Sequence, residues 1–207
     1  MLPIEIDNNK LNDSKYWDKK YTSNNTNWDM KSSTPVFKEL LSKSEFISPC
    51  RLLITGSGKG YDAIEAAKLN YDVTTVDFSS EANKIAKEIA GDLSNKINYL
   101  QTDIFDLNKT HKNYFDAIYE YTTFCAIDPK RRKEYVNVLS DVLKSGGKLV
   151  ALLFPVDGRG GGPPFNIDII EFYKLLSKKY ILEFSTFKIN SIKPRAGKEV
   201  LQIYKKI

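Results

Sequence analysis

A short glycine series, Gly56-Ser57-Gly58-Lys59-Gly60, stands between the apolar run Leu52-Leu53-Ile54 and a helical stretch beginning near Tyr61. Glycines between a strand and a helix let the backbone approach a ligand closely and leave the helix N-terminus open to a negative group. The spacing is not the G-x-G-x-x-G dinucleotide fingerprint, because the third glycine comes one residue early. Nor is it a P-loop, since Lys59 is followed by Gly60 and not by Ser or Thr. A plain strand-to-helix link would read the same way. Asp77 narrows the choice, because it ends the next apolar run, Val73–Val76, 17 residues beyond Gly60. A carboxylate at that place can accept two hydrogen bonds from the hydroxyls of a ribose, although it could equally cap the helix opening at Ser79 or Ser80. Asp103, in Gln101-Thr102-Asp103-Ile104, ends the following run and is placed to meet an adenine amino group beside the apolar Ile104.

A second group is aromatic. Both tryptophans of the chain lie before the first strand, in Tyr16-Trp17-Asp18 and Asn27-Trp28-Asp29, with Tyr21 between them. On a helix Trp17 and Tyr21 share a face. Aromatic faces stabilise a cation such as a sulfonium by roughly 0.5–2 kcal/mol, and a packed aromatic lid would use the same residues. The third group follows the fifth strand, in Arg159-Gly160-Gly161-Gly162-Pro163-Pro164-Phe165, a loop part flexible and part fixed.

These residues need a frame that gathers strand ends. Apolar runs at Leu52–Ile54, Val73–Val76, Ile97–Leu100, Phe115–Tyr119 and Lys148–Phe154 read as strands, with two further β-rich segments near Ile181–Phe187 and Val200–Tyr204. Between them lie helical stretches from about Tyr61 to Leu69, from Ser79 or Ser80 to Ala90, from Asp128-Pro129 to a stop at Gly146-Gly147, and from Ile167 to Ser177. Thr34 and Pro35 open an earlier helix over Thr34–Phe46. Strands alternating with helices predict an α/β fold, doubly wound, with a mostly parallel seven-stranded sheet covered on both faces. In such a sheet ligands bind beyond the carboxyl ends of the strands, where Gly56, Asp77, Asp103 and Tyr121 fall.

Composition bounds the rest. The 207 residues make one expected domain, with residues 1–47 as an N-terminal helical lid; 42% of them are apolar and 28% charged, a folding composition. The net charge is +5, and from Lys174 onward nine basic residues face two acidic ones. That basic end could meet an anion or a nucleic acid, but it reads first as a solvated face. The N-terminus has no signal-peptide layout, no run approaches a membrane span, and Cys50 and Cys125 make neither a metal spacing nor a disulfide framework. The expectation is a cytoplasmic, monomeric protein without metal, membrane or nucleic-acid partners. His111, the single histidine, is expected in an exposed loop.

The chain resembles the thiopurine methyltransferase-like group of S-adenosylmethionine-dependent enzymes, and within it the thiol, halide and thiocyanate methyltransferases. The resemblance is carried by Tyr16-Trp17-Asp18, Trp28-Asp29 with Thr34-Pro35, Gly56-Ser57-Gly58-Lys59-Gly60-Tyr61-Asp62, Asp103 to Leu107, Tyr121 to Pro129, Gly161 to Phe165, and Arg195-Ala196-Gly197-Lys198-Glu199. It implies that Trp17, Tyr21 and Trp28 close over the methionine part of the cofactor. Gly56, Gly58 and Gly60 would form the loop beneath it, Asp77 would hold the ribose, and Asp103 with Ile104 the adenine. Tyr121 would sit close to the reacting methyl, as cofactor contact and catalytic residue. Two departures stand out: the loop usually reads Pro-Gly-Cys-Gly where this chain has Thr55-Gly56-Ser57-Gly58, and Glu120 stands where an aspartate is common. Gly162-Pro163-Pro164-Phe165 looks like the motif of amine methyltransferases but follows strand five instead of strand four, which argues against that reading.

Methyl transfer to a thiol, hydrosulfide, halide or thiocyanate is an in-line displacement in which an anionic nucleophile needs no general base. Arg159 and Arg195 are the candidates for holding such an anion. The alternatives are a methyltransferase for aromatic thiols or for selenium or tellurium compounds, a nicotinamide-dependent oxidoreductase using the same strand ends, and an RNA binder using the basic end.

Overall fold

The strand runs are apolar nearly throughout because each inner strand is buried on both faces, and the computed structural model, which describes residues 8–43 and 45–207, gathers them into one sheet. The strands are β1 (Arg51–Thr55), β2 (Asp72–Val76), β3 (Ile97–Leu100), β4 (Phe115–Tyr121), β5 (Leu143–Leu153), β6 (Tyr180–Thr186) and β7 (Val200–Lys206), in the order β3-β2-β1-β4-β5-β7-β6. All neighbours from β3 to β5 are parallel, and β7 is antiparallel to both β5 and β6. The doubly wound, mostly parallel reading therefore holds. Six helices accompany the sheet among the described residues: α1 (Ser14–Thr22), α2 (Pro35–Ser42), α3 (Tyr61–Lys68), α4 (Ser80–Ala90), α5 (Arg132–Val142) and α6 (Ile169–Leu176).

The period-two alternation of strand side chains divides the core in two. Leu52 and Ile54 of β1, with Tyr119 of β4 and Leu152 of β5, join Phe37 and Leu40 of α2 and Ala63 and Ala67 of α3. Leu53, Ile118, Leu149 and Leu153 point the other way, toward Tyr135 and Leu139 of α5 and Phe172 and Leu176 of α6. Phe37 stacks on Tyr119 with ring centroids 4.1 Å apart.

Three local expectations change. The helix before β5 ends at Val142, four residues before Gly146, so Gly146-Gly147 lie inside β5. The β4–β5 register shifts there, and a Cβ on Gly147 would fall 2.9 Å from the Asp116 carbonyl oxygen, so the glycines admit a bulge and do not stop a helix. Thr34 occupies the N-cap of α2, yet its side chain leaves the helix and bonds Asp62. His111 lies in a loop but is half-buried, its ring stacked on Phe115. The expected lid over 1–47 and the N-terminus read for a signal layout include residues 1–7, and the helix expected over Thr34–Phe46 includes Ser44; these lie outside the described residues. No helix among the described residues is long and apolar enough to cross a membrane.

Candidate active site

Sheet order reverses at β1, whose neighbours are β2 and β4, and the crevice beyond their carboxyl ends is where such sheets hold ligands. A cavity of about 730 Å³ opens there, within the roughly 300–1,000 Å³ common for small-molecule sites. The glycine loop forms its floor. Gly56 has φ +48° and a Cβ on it would fall 2.4 Å from Thr123 Oγ1; Gly58 has φ +53° and a Cβ would fall 3.0 Å from the Tyr21 hydroxyl. Both glycines line the cavity and their backbone is within reach of a ligand that a side chain would displace. Gly60 does not line it: as the left-handed N-cap of α3 it packs toward Ala86 of α4, where a Cβ would come within 3.0 Å. Its glycine serves helix packing, which corrects its place in the expected ligand loop.

Asp77 is half-buried and lines the cavity, with Oδ2 accepting from the Gly58 N–H and Oδ1 from the Ser79 N–H, each at 2.9 Å. It braces the loop and the entry to α4, whose N-cap is Ser79, and keeps lone pairs for a further donor. Burial pushes its pKa up to about 6, against the two backbone N–H groups that pull it down, with Asp18 raising it slightly. Asp103 caps a 3-10 turn at Ile104–Lys109 through Phe105 N–H at 3.0 Å, and Asp103 and Ile104 both face the cavity.

The aromatic group closes the opposite side. Trp17 and Tyr21 lie one turn apart on α1, and Trp28 meets both rings edge-on, at centroid distances of 5.6 and 5.8 Å. Three carboxylates fasten this layer to the sheet domain's loops. Asp18 accepts from Ser79 Oγ at 2.6 Å and Ser80 Oγ at 3.2 Å; Asp29 pairs with Lys59 Nζ at 2.7 Å. Half-buried Asp62 accepts from Ser33 Oγ, Thr34 N and Thr34 Oγ1 at 2.6, 2.7 and 2.9 Å.

Tyr121, the last residue of β4, stands at the far end of the cavity, 8% exposed. Its hydroxyl donates to Glu199 Oε1 at 2.6 Å and accepts from Arg195 Nη1, while Arg195 Nη2 donates to the Trp28 carbonyl at 2.6 Å. Ser191 Oγ donates to Glu199 Oε2. Burial holds the Tyr121 hydroxyl well above the ordinary phenol range, Arg195 opposing and Glu199 reinforcing that shift, so the proton stays on oxygen at neutral pH. Arg195 is 5% exposed and lies 4.7 Å from the Phe154 ring. Arg159 also reaches the cavity, but it is paired with Asp157 at 2.6 and 2.8 Å on the solvent side.

Behind Tyr121, fully buried Glu120 accepts four hydrogen bonds: from Phe124 N at 2.8 Å, Thr123 N at 3.2 Å, Thr55 Oγ1 at 2.8 Å and the Tyr135 hydroxyl. Its side chain points away from the cavity and fixes the turn that carries Thr122 at φ +63°. In the sequence Glu120 is visible only as a departure from the family pattern and Glu199 only as part of a motif, and neither acquires a role there. The first sits beside a tyrosine that drew the attention, and the second is 78 residues from the hydroxyl it serves.

Cys125 lines the cavity wall at 2% exposure, its thiol donating to the Thr122 carbonyl at 3.3 Å. Burial pushes its pKa up to about 12, and that of Cys50 to about 11. At pH 8 Cys125 is therefore held as the thiol. Iodoacetamide is expected to leave Cys125 unmodified in the folded protein, as read by mass spectrometry; fast alkylation without unfolding would contradict this burial. Among the described residues no cluster of three or more His, Cys, Asp or Glu side chains could hold a metal ion.

A family model for thiopurine S-methyltransferase matches residues 12–204. The chain belongs to the thiopurine S-methyltransferase family. It is an S-adenosylmethionine-dependent methyltransferase. Among family relatives, a probable thiol methyltransferase 2 of Arabidopsis thaliana is 33% identical over 201 residues, covering 94% of this chain and 86% of the relative. Thiocyanate methyltransferase 1 of the same plant is 30% identical, covering 92% and 84%. The solved structure of the Burkholderia thailandensis 1,6-didemethyltoxoflavin-N1-methyltransferase, with its substrate and S-adenosylhomocysteine bound, superposes with a TM-score of 0.73 at 17% identity, covering 93% of this chain and 86% of that one. That likeness establishes the shared fold.

The cavity fits the family's methyl donor on its own terms. Gly56 and Gly58 form a cradle that a Cβ would fill, the half-buried Asp77 keeps acceptor capacity beside it, and three aromatic rings face them.

Proposed function

We propose that this chain transfers the methyl group of S-adenosylmethionine to a small soft nucleophile, a thiol, hydrosulfide, halide or thiocyanate, by in-line displacement. One observation carries the reading: the glycine cradle, Asp77, Asp103, the aromatic layer and Tyr121 line a single cavity. The bound donor supplies an electrophilic methyl on a positively charged sulfur. Gly56 and Gly58 approach it with backbone, Asp77 accepts from the ribose hydroxyls, and Asp103 with Ile104 meets the adenine. Trp17, Tyr21 and Trp28 lie over the methionine part, where aromatic faces favour the sulfonium and exclude water. Tyr121 orients the nucleophile, and Arg195 is the buried cation beside it. Arg159, already paired with Asp157, is the weaker contact.

The same reading makes residues 1–207 one methyltransferase domain with 1–47 as its lid. It places a monomer acting on small molecules in the cytoplasm, without nucleic-acid or membrane partners. The carboxylate ties of Asp18, Asp29 and Asp62 support a lid held over the site.

The test is product formation with S-adenosylmethionine against iodide, thiocyanate, hydrosulfide, an alkyl thiol and an aromatic thiol, with volatile methyl products monitored. Turnover of the small nucleophiles is expected. Turnover of the aromatic thiol alone would move the substrate to the thiopurine side of the family, and no turnover while S-adenosylhomocysteine still binds would overturn the substrate class.

A further inference from the structure

The hydrogen bonds around Tyr121 have a direction, and the direction constrains what the hydroxyl can offer the cavity. Its one proton is given to Glu199 Oε1 at 2.6 Å, and one of its lone pairs receives Arg195 Nη1. A phenol oxygen has one donor and room for two acceptances, so the role left toward the cavity is that of acceptor. Glu199 is 3% exposed, does not line the cavity, and is fixed on its other oxygen by Ser191. It is thus a buried carboxylate with a single path toward substrate, through the Tyr121 oxygen. Arg195 and Glu199 also offset one another beside the same oxygen, so that end of the cavity is not a bare cation for an anion to meet. The other groups around the pair are Tyr119 of β4, Lys198 and Cys125 on the cavity wall, and the Met30 sulfur 3.9 Å from the Tyr121 hydroxyl.

We propose that Tyr121 and Glu199 form a proton-accepting relay that selects a nucleophile still carrying hydrogen on its reacting atom, a thiol or hydrogen sulfide, over halide and thiocyanate. This rests on the soft-nucleophile reading above and specifies its substrate. The thiol S–H donates to Tyr121 Oη. As the substrate sulfur gives an electron pair to the methyl carbon, the pair of the methyl–sulfonium bond stays on the departing sulfur. The thiol proton moves to Tyr121 Oη and the Tyr121 proton to Glu199, which ends neutral, and the cationic donor ends neutral as well. Tyr121 is the catalytic residue in this scheme and Glu199 the positioning residue behind it. A halide has no proton to give and meets a lone pair.

Two readouts test the relay on the full chain. In calorimetry, the S-adenosylhomocysteine-loaded protein is titrated at pH 7 with 2-mercaptoethanol, a thiol mostly protonated there, in buffers of different ionisation enthalpy. Binding of the protonated thiol releases no proton to the buffer; release of about one proton would show that the thiolate binds and would overturn the proposal. In kinetics, kcat/KM for this thiol and for iodide is followed from about pH 6 to 8 in the wild type, Glu199→Gln and Tyr121→Phe. The wild-type thiol profile is expected to be nearly flat. In Glu199→Gln it should rise about ten-fold per pH unit as only thiolate reacts, with the thiol rate at pH 6 falling about 10²-fold further than the iodide rate. Equal losses for thiol and iodide, or a steep wild-type thiol profile, would overturn the relay and leave the methyltransferase reading standing. A wild type that methylates neither nucleophile would instead remove the soft-nucleophile reading and the relay together. The calorimetric result uses the wild type alone and decides the matter if either variant fails to fold.

Discussion

Glu120→Ala is expected to destabilise the protein by about 3–5 kcal/mol, the range for breaking a buried, fully hydrogen-bonded charged network by removing one member. Four donors converge on this carboxylate: two backbone N–H groups and the hydroxyls of Thr55 and Tyr135. Alanine leaves the Thr123 and Phe124 N–H groups without that acceptor in a buried site, at about 1–3 kcal/mol for each unsatisfied group. The Thr55 and Tyr135 hydroxyls keep the Tyr119 carbonyl and Thr55 Oγ1 as partners. Burial raises the Glu120 pKa while the four donors lower it, burial having the larger effect. Thr122, a β-branched residue at φ +63°, is held in a costly conformation by the turn that Glu120 fastens, so the turn is expected to rearrange once the carboxylate is gone. Since that turn begins at Tyr121, and Thr123 abuts Gly56, the damage should reach the cavity as well as the core. Chemical denaturation measures the first effect and S-adenosylhomocysteine affinity the second. A loss below about 1 kcal/mol would mean that water or a rearranged turn satisfies the donors, and that Glu120 is not the brace described.

The frame of the site was legible because parallel strands buried on both faces write themselves as apolar runs, and their carboxyl ends fall where glycine or aspartate interrupts the pattern. Gly56, Asp77 and Asp103 could be placed on that ground alone. Less legible were the features set by tertiary contact. Gly60 looks like a third member of a ligand loop, yet the neighbour that demands a glycine there is Ala86 of α4, which no local pattern announces. Gly146-Gly147 follow a helical stretch and read as its stop, whereas a bulge opposite β4 is what requires them. Thr34 has the type and position of a helix cap, but Asp62 of α3, across the α2–α3 contact, offers its hydroxyl a carboxylate acceptor. Glu199 was visible only as one letter of a C-terminal motif. Its partner Tyr121 lies on β4, two strands away from β7, and only the antiparallel return of β7 beside β5 brings the two together.

Those distant contacts also explain how an open crevice is made into an enclosed site. The sheet supplies positions at strand ends, but the aromatic layer that faces them comes from before β1 and has no strand pairing to hold it. It is fastened instead by polar contacts to three places: Asp18 to the start of α4, Asp29 to the glycine loop, and Ser33 and Thr34, ahead of α2, to Asp62 of α3. Arg195 supplies a fourth contact from the opposite side, through the Trp28 carbonyl. The residue that bonds the Trp28 carbonyl is therefore also the one that bonds the Tyr121 hydroxyl, so one guanidinium joins the aromatic layer to the Tyr121–Glu199 pair.

Asp77→Ala is expected to weaken S-adenosylhomocysteine binding by about 10²-fold or more, because hydrogen bonds to a charged acceptor are worth about 1.5–3 kcal/mol each and the ribose offers two donors. The pH dependence separates this role from bracing alone. Burial sets the free carboxyl at about 6, raised from 3.8. Ligand hydroxyls need the ionised form, so affinity should be steady above about pH 7 and fall as pH drops through 6, by up to about ten-fold per unit. In the unliganded protein the sign is opposite. Between about pH 4 and 6 the folded state holds more protons at this site than the unfolded chain, so the contribution of Asp77 to stability declines as pH rises through that window. Asp77→Asn, which cannot titrate, should bind weakly with a flat profile and lose that stability slope. Calorimetric affinities from pH 5 to 8 for the wild type and both variants read the first effect, and denaturation over pH 4 to 7 the second. If the wild-type affinity does not change across pH 6, or if Asp77→Asn keeps the wild-type affinity, Asp77 braces the loop without receiving the ribose. A weakened affinity in Asp77→Asn that still declined through pH 6 would assign the titration to another group.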